Sequence, residues 1–343
     1  MQISDNVRRT AARGGHDERP RRKFLDPAAG ALALLVLSFG LINHDALSQA
    51  GRIIKLVVPL APGGGADILA RILAEQIARA QGLTVVVENR PGAGTAIGTE
   101  SVARAAPNGN TLLINTANIV IGPHLRKVNY DPLTSFEPVC YLAKTPLLVL
   151  VNSVSSYRTL TELLNAARAK PGELTLASVG PATTLHVASE KLTRSAGVKM
   201  TYVPYSGTGP AVMALLGQHV SAMIAEHPAV AEHVKAGKLR ALATGSKSRI
   251  ESLADVPTIA GLGYDDYEID VWWGLFAPAH TPTETVSQLA SWIGAALESP
   301  EIRAKLAIQG FSAVGICGSN FGSFLRAQYD EYGRVIREAN IKE

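Results

Sequence analysis

The chain has 343 residues, 47% of them hydrophobic, a formal net charge of +4 and two cysteines. That is enough apolar material for one large or two medium domains with real cores. The charge is too small for a nucleic-acid footprint, and two cysteines exclude a disulfide-dense scaffold.

The first fifty residues read as a processing segment. Arg21-Arg22-Lys23-Phe24-Leu25 precedes an apolar run over 28–42 and then Ser48-Gln49-Ala50, small residues where a signal peptidase cuts. The run is short for a membrane span, so residues 1–50 are expected to be an export signal cleaved after Ala50. The arginine pair fits a twin-arginine signal, although Pro20 stands where Ser or Thr is usual; an ordinary Sec signal fits as well. Residues 51–343 then carry 26 Lys/Arg against 24 Asp/Glu, and no later apolar run is long enough to span a membrane.

From Lys55, KLVVPLAPGGGAD reads as a buried strand, a Gly-rich loop and the start of a helix. Ile68, Leu69, Ile72, Leu73 and Ile77 recur with helical spacing, and Asp67 and Arg71 form an i,i+4 pair. Residues 83–88 read as a β-branched strand, 93–105 as a helix, Pro107-Asn108-Gly109-Asn110 as a turn, and 111–115 as a third strand. This is a βαβαβ half of an open α/β sheet. Ligands bind such sheets beyond the carboxyl ends of the strands.

Residues 147–151 form an apolar strand that leaves this lobe. Thr159-Leu160-Thr161-Glu162 is a capping box for a helix stopped by Pro171-Gly172. The strand–loop–helix unit then repeats: LTLASVGPATTLH from Leu174 matches the first loop region, and MTYVPYSGTGP from Met200 matches VVVENRPGAGT from Val85. Each copy offers helix N-termini, with bare backbone N–H groups, to whatever lies beyond the strand ends. Strand 220–225, helix 229–236 and strand 239–244 follow, and a further strand runs through Trp272-Trp273-Gly274-Leu275-Phe276. Only helices are expected after that, the first capped by Thr281-Pro282-Thr283-Glu284, then 301–309 and 321–339. They must pack on an existing lobe, most simply the first, which implies chain crossovers near Val151 and Val271 and a hinge. Cys140 and Cys317 could pair in an oxidising compartment, but their separation in sequence favours two separately buried thiols. No Cys/His spacing suggests a metal site, and no cofactor is expected.

Eight segments in order resemble the Bug family, the extracytoplasmic solute receptors of tripartite tricarboxylate transport systems. They are KLVVPLAPGGGADILAR; VVVENRPGAGTAIGTESVARAAPNGNTLL at Val85; YDPLTSFEPV at Tyr130; ELLNAARAKPGELTLASVG at Glu162; VPYSGTGPA at Val203; AGKLRALATGSKSR at Ala236; DVPTIAGLGY at Asp255; and WWGLFAPAHTP at Trp272. The resemblance implies a two-lobed α/β fold of the periplasmic-binding-protein type (type II, Venus flytrap), each lobe an open sheet flanked by helices. Lobe 1 would comprise 51–150 and 273–343, and lobe 2 would comprise 151–272. It further implies a periplasmic, monomeric receptor that captures a small carboxylate and delivers it to membrane permease subunits.

Carried over residue by residue, the resemblance makes Leu60, Ala61, Pro62, Gly63 and Gly64 the first ligand loop. Ser178, Gly180, Ala182, Thr183 and Thr184 belong to the second, which would anchor the carboxylate through backbone amides and hydroxyls. Leu60-Ala61 stand where an aromatic residue and a Pro are common, and Ala182 where Gly is common, so the ligand itself stays open. Three consecutive glycines, Gly63-Gly64-Gly65, exceed what a turn needs and suit close backbone approach to a ligand. Asn115, Thr116, Tyr205 and Ser206 end strands and are expected to line the cleft. Glu226 either selects a ligand amino group or is a solvated loop residue. His186 reads as packed or surface rather than catalytic, and Trp272-Trp273 as core. Arg71 and Arg90 are the cations nearest the loops; Asp67 accounts for the first and solvent for the second.

Other classes fit less well. Gly92-x-Gly94-x-x-x-Gly98 misses the dinucleotide fingerprint by one position, and its acid, Glu88, precedes the loop. The Gly run lacks the Gly-Lys-Ser/Thr ending of a P-loop, and no GxSxG elbow occurs. A nicotinamide-dependent enzyme is thus a distant alternative. A ligand sensor that docks on a membrane signalling partner would share the same fold and pocket.

Overall fold

The computed structural model describes residues 51–180, 182–338 and 340–342; the expected export signal lies outside them. Among the described residues ten strands form one sheet: eight lie on the path β2-β1-β3-β9-β4-β7-β5-β6, and β10 and β8 pair with β4 off it. The first lobe is built on β1 (Ile53–Val58), β2 (Thr84–Asn89), β3 (Thr111–Thr116) and β9 (Asp270–Pro278). The second is built on β5 (Thr175–Ser178), β6 (Thr201–Pro204), β7 (Ala222–Glu226) and β8 (Leu239–Thr244).

One strand belongs to both. β4 (Phe136–Asn152) pairs antiparallel with β9 as far as Pro146, then with β7 and β8 from Leu147 onward. The expected strand at 147–151 is therefore only the second half of a 17-residue one. The first half contains Pro138, which sits at a register shift where a missing N–H is tolerated. Inside each lobe the repeated units pair parallel, β1 with β2 and β3, and β5 with β6 and β7. Parallel strands need crossover helices, and the sequence supplies them.

The helix α1 (Gly65–Gln81) buries Leu69, Ile72, Leu73 and Ile77 against the first sheet and stops at the left-handed Gly82. Burying a Leu or Ile side chain is worth roughly 1.5–3 kcal/mol, so this stripe fixes the helix. α2 (Ala96–Ala103) follows a 3-10 turn at Ala93–Thr95. α3 (Asn118–Leu125) was not expected; Arg126 follows it as its C-cap, its N–H on Gly122 O. In the second lobe, α4 (Leu160–Ala169) has the expected cap, with Glu162 N–H donating to Thr159 Oγ1 at 3.1 Å. The helices α5 (Thr184–Ser195), α6 (Thr208–Leu216) and α7 (His227–Lys235) follow β5, β6 and β7.

The C-terminal segment returns to the first lobe as α8 (Thr283–Glu298), α9 (Pro300–Ile308) and α10 (Ser319–Glu338). Three expectations fail here. A strand, β10 (Ser312–Cys317), lies between the last two helices and pairs with β4. Its β signal is interrupted by Gly315 at φ +76 and by a register shift between Ala313 and Ile316. The pairing sets Cys317 opposite Cys140, and the two are joined in a disulfide rather than buried separately. The cap of α8 also differs: Pro282 precedes it without a side-chain cap, and the Thr281 hydroxyl donates to Pro278 O instead.

Candidate functional site

The first loop connects β1 to α1. Gly63 adopts φ +86 and its N–H donates to Asp67 Oδ2 at 3.1 Å, while Asn89 Nδ2 holds Leu60 O at 3.0 Å. Burial pushes the Asp67 carboxyl up, but Arg71, the Gly63 N–H and Asn89 outweigh it and hold the group below the usual carboxylate range. Arg71 is thereby committed to the helix start, and Arg90 pairs with Glu88.

The second loop connects β5 to α5. Thr183 caps α5: its Oγ1 accepts from His186 N–H at 3.2 Å and donates to Gly180 O at 2.9 Å. Ala182 is fully buried at φ +62, a left-handed geometry that costs a residue with a Cβ about 1–2 kcal/mol. That cost is a physical reason for glycine to be common there. Gly180 N–H is turned back onto Ser178 Oγ at 3.3 Å.

The lobes meet at these loops. Ala61 N–H in the first lobe donates to Ser206 O in the second at 3.4 Å. A Cβ on Gly209 would stand 2.2 Å from Pro62 O, and one on Gly207 2.9 Å from Ala61 N. The Ser-Gly-Thr-Gly run after β6 thus allows backbone to touch backbone across the cleft.

Two helix N-termini are filled from the opposite lobe. Thr184, opening α5, donates its N–H and its hydroxyl to Asn118 Oδ1 of the first lobe at 2.8 and 3.1 Å. Glu226, ending β7 in the second lobe, accepts the Gly65 N–H of α1 on Oε1 at 2.9 Å and the Thr208 hydroxyl on Oε2 at 3.0 Å. Glu226 is 4% exposed, which rules out the solvated-loop alternative. Burial raises its carboxyl above the usual range, partly offset by those hydrogen bonds.

A cavity of about 340 Å³ opens between the lobes, lined by Pro59, Leu60 and residues 92–95 on one side and by Val179, Gly180, Pro204, Tyr205 and Ser206 on the other, with Arg126 on its wall. Of the expected ligand residues it brings together Leu60, Gly180, Tyr205 and Ser206. Ala61, Pro62, Gly63 and Gly64 form the lobe contact beside it, where Gly64 faces Thr208 and Glu226. Ser178, Ala182, Thr183 and Thr184 shape the second loop. Asn115 and Thr116 point into the first lobe. Asn115 Nδ2 donates to Thr99 Oγ1 and its Oδ1 accepts from Thr116 N–H, while Thr116 Oγ1 accepts from Asn118 N–H. They position Asn118 rather than line the cavity.

Asn118, Thr208 and Arg126 escaped the sequence reading. A polar residue opening a helix after a strand was the available signal for the first two; Arg126 had none. His186 is packed, its ring 5.3 Å from Tyr202, and burial lowers its pKa. Trp272 lies in the aromatic core, with its indole N–H on Gln328. Among the described residues there is no metal-binding cluster and no helix long and apolar enough to cross a membrane.

Comparison with known proteins places this geometry. The tripartite tricarboxylate transporter family receptor profile matches residues 69–341. The chain is 34% identical to protein BugT of Bordetella pertussis over 294 residues, covering 85% of this chain and 90% of that one. Among solved structures, the periplasmic binding protein BugD is similar at 31% identity and a TM-score of 0.82, over 85% of this chain and 98% of BugD. Rpa4515 of R. palustris, solved with adipate, is similar at 32% identity and a TM-score of 0.82, over 85% of this chain and 98% of that one.

Proposed function

The chain belongs to the tripartite tricarboxylate transporter receptor family, and on that premise we propose that it is a periplasmic receptor that captures a small carboxylate between its lobes and delivers it to membrane permease subunits. One observation carries the reading. Helix N-termini from both lobes converge on the cleft, and each of two already holds an oxygen acceptor from the facing lobe, a carboxylate in one case. Such termini are built to hold anions, because their first N–H groups have no partner within the helix. The adipate held by Rpa4515 supports the same chemistry.

In this reading the solute carboxylate is held in the second lobe by the Gly180–Thr184 loop, with Tyr205 and Ser206 beside it and the Leu60–Gly64 loop as the opposite wall. Thr184 exchanges Asn118 for the solute. The lobes, which exchange chain where β4 passes from β9 to β7 at Pro146–Leu147 and where β9 begins at Asp270, rotate about these crossings. Periplasmic placement fits both the expected export signal and the location of BugD. No cation is needed, since neutral donors and helix dipoles hold an anion yet release it when the lobes part.

Affinity near 1 μM, about −8 kcal/mol, is expected. A thermal-shift screen of aliphatic mono- and dicarboxylates, amino acids and aromatic acids tests it. A solute at 100 times its dissociation constant stabilises by about 2.7 kcal/mol, a clear rise in midpoint. A folded protein whose midpoint no carboxylate moves refutes the proposal.

A further inference from the structure

We propose that Arg126 reads the far end of the solute: the cavity takes a diacid, with one carboxylate on the second-lobe anchor and the other paired to the Arg126 guanidinium. This rests on the receptor reading above and adds the residue that selects the solute's second charge.

Among the described residues that line the inter-lobe cavity, Arg126 is the one charged side chain. It comes from the first lobe, and Gly180 of the anchor loop with Ser206 faces the cavity from the second. The helix α3 joins the two points. Asn118 opens it against Thr184 of the anchor loop, and Arg126 closes it, roughly 12 Å further on at 1.5 Å per residue. That spacing suits a solute with a charged group at each end. The end of α3 is also held in place: His124 Nε2 donates to Tyr329 O of α10 at 2.9 Å, and the Arg126 N–H to Gly122 O at 3.0 Å.

Among those lining residues no acid offsets the charge. Glu100, whose field reaches the same Tyr130 hydroxyl as that of Arg126, is committed to Arg104 at 3.3 Å and to Asn129. Arg126 has its own interaction within the chain, yet a guanidinium carries five N–H donors and takes a carboxylate with two of them. In a cleft with neutral walls such a cation concentrates anions. Closure over a monoacid instead sets an alkyl end against the guanidinium, which loses water and gains nothing in its place.

Each diacid is tested against the acid that lacks its second carboxylate: succinate against butyrate, glutarate against pentanoate, and adipate against hexanoate. Calorimetric titration of the whole protein should give, in at least one pair, about tenfold or tighter preference for the diacid, the lower end for a charge-assisted hydrogen bond. Arg126→Gln keeps a planar donor but removes the charge, and should erase most of that preference; Arg126→Lys, which keeps the charge, should retain more of it. A smaller diacid preference in every pair overturns the assignment, and so does a preference that Arg126→Gln leaves unmoved. Should a variant fail to fold, salt decides on the unmodified protein: the diacid's advantage should fall as ionic strength rises, and a salt-independent advantage overturns the assignment. If some carboxylate from the wider screen binds while none of these diacids does, the Arg126 assignment falls and the receptor reading stands. If no carboxylate binds the folded protein, both fall.

Discussion

Replacing Thr183 by Ala should damage the second loop twice over. Thr183 is 1% exposed and is the N-cap of α5, accepting from the His186 N–H at 3.2 Å, while Asn118 of the facing lobe takes the Thr184 N–H. Losing a Thr cap costs about 1 kcal/mol, and up to ~2 kcal/mol in a folded protein. The second bond, from Thr183 Oγ1 to Gly180 O at 2.9 Å, closes the loop on itself. Gly180 lies at the cavity, so water can replace that bond, and its loss loosens the loop more than it destabilises the fold. The stability loss is therefore about 1–2 kcal/mol, or roughly 2–4 °C of melting temperature per kcal/mol for a domain near this size. Because the slackened loop presents the amides of the carboxylate anchor, affinity should fall about tenfold, ~1.4 kcal/mol. Urea denaturation and calorimetric titration read the two effects separately, and Thr183→Ser should restore both. A Thr183→Ala protein with unchanged stability refutes the capping argument; unchanged affinity would move the anchor away from this loop.

Gly209→Ala should block closure without unfolding either lobe, since the new Cβ would meet the Pro62 carbonyl of the facing lobe at 2.2 Å. Small-angle scattering should show a larger radius of gyration and titration a weakened solute; an unaltered radius would mean the lobes do not close along this contact. Glu226 gives a pH signature. Its folded carboxyl is raised by burial, so its contribution to stability is present below the usual Glu value and is lost as pH rises through the raised one. The stability of the unmodified protein relative to Glu226→Gln should therefore fall from acidic to neutral pH, and a flat or rising difference would contradict the burial argument.

Much of this fold was legible because its signals are local. The α1 stripe, the Thr159–Glu162 cap and the two Gly-rich strand-to-helix turns each depend on residues a few positions apart. The elements that escaped depend on distant partners. The first half of β4 hides behind Pro138 and its register shift, and β10 behind Gly315 and its own. Both exist because each completes a sheet assembled from far along the chain. The Cys140–Cys317 bond follows from that pairing, 177 residues apart, and could not be read before it. At the site the same division holds. The two loops were visible as motifs, but the burial of Glu226 requires Gly65, 161 positions earlier, and the role of Asn118 requires Thr184 in the other lobe. An acid at a strand end looks solvated until the facing lobe closes over it.

Calorimetric titration of the purified protein with a panel of small carboxylates tests the central claim most directly. A single-site isotherm with a dissociation constant near 1 μM, lost when Gly209→Ala keeps the lobes apart, is the predicted result. A folded protein that gives no binding heat with any carboxylate, at any temperature where a heat-capacity change would reveal it, would contradict the account.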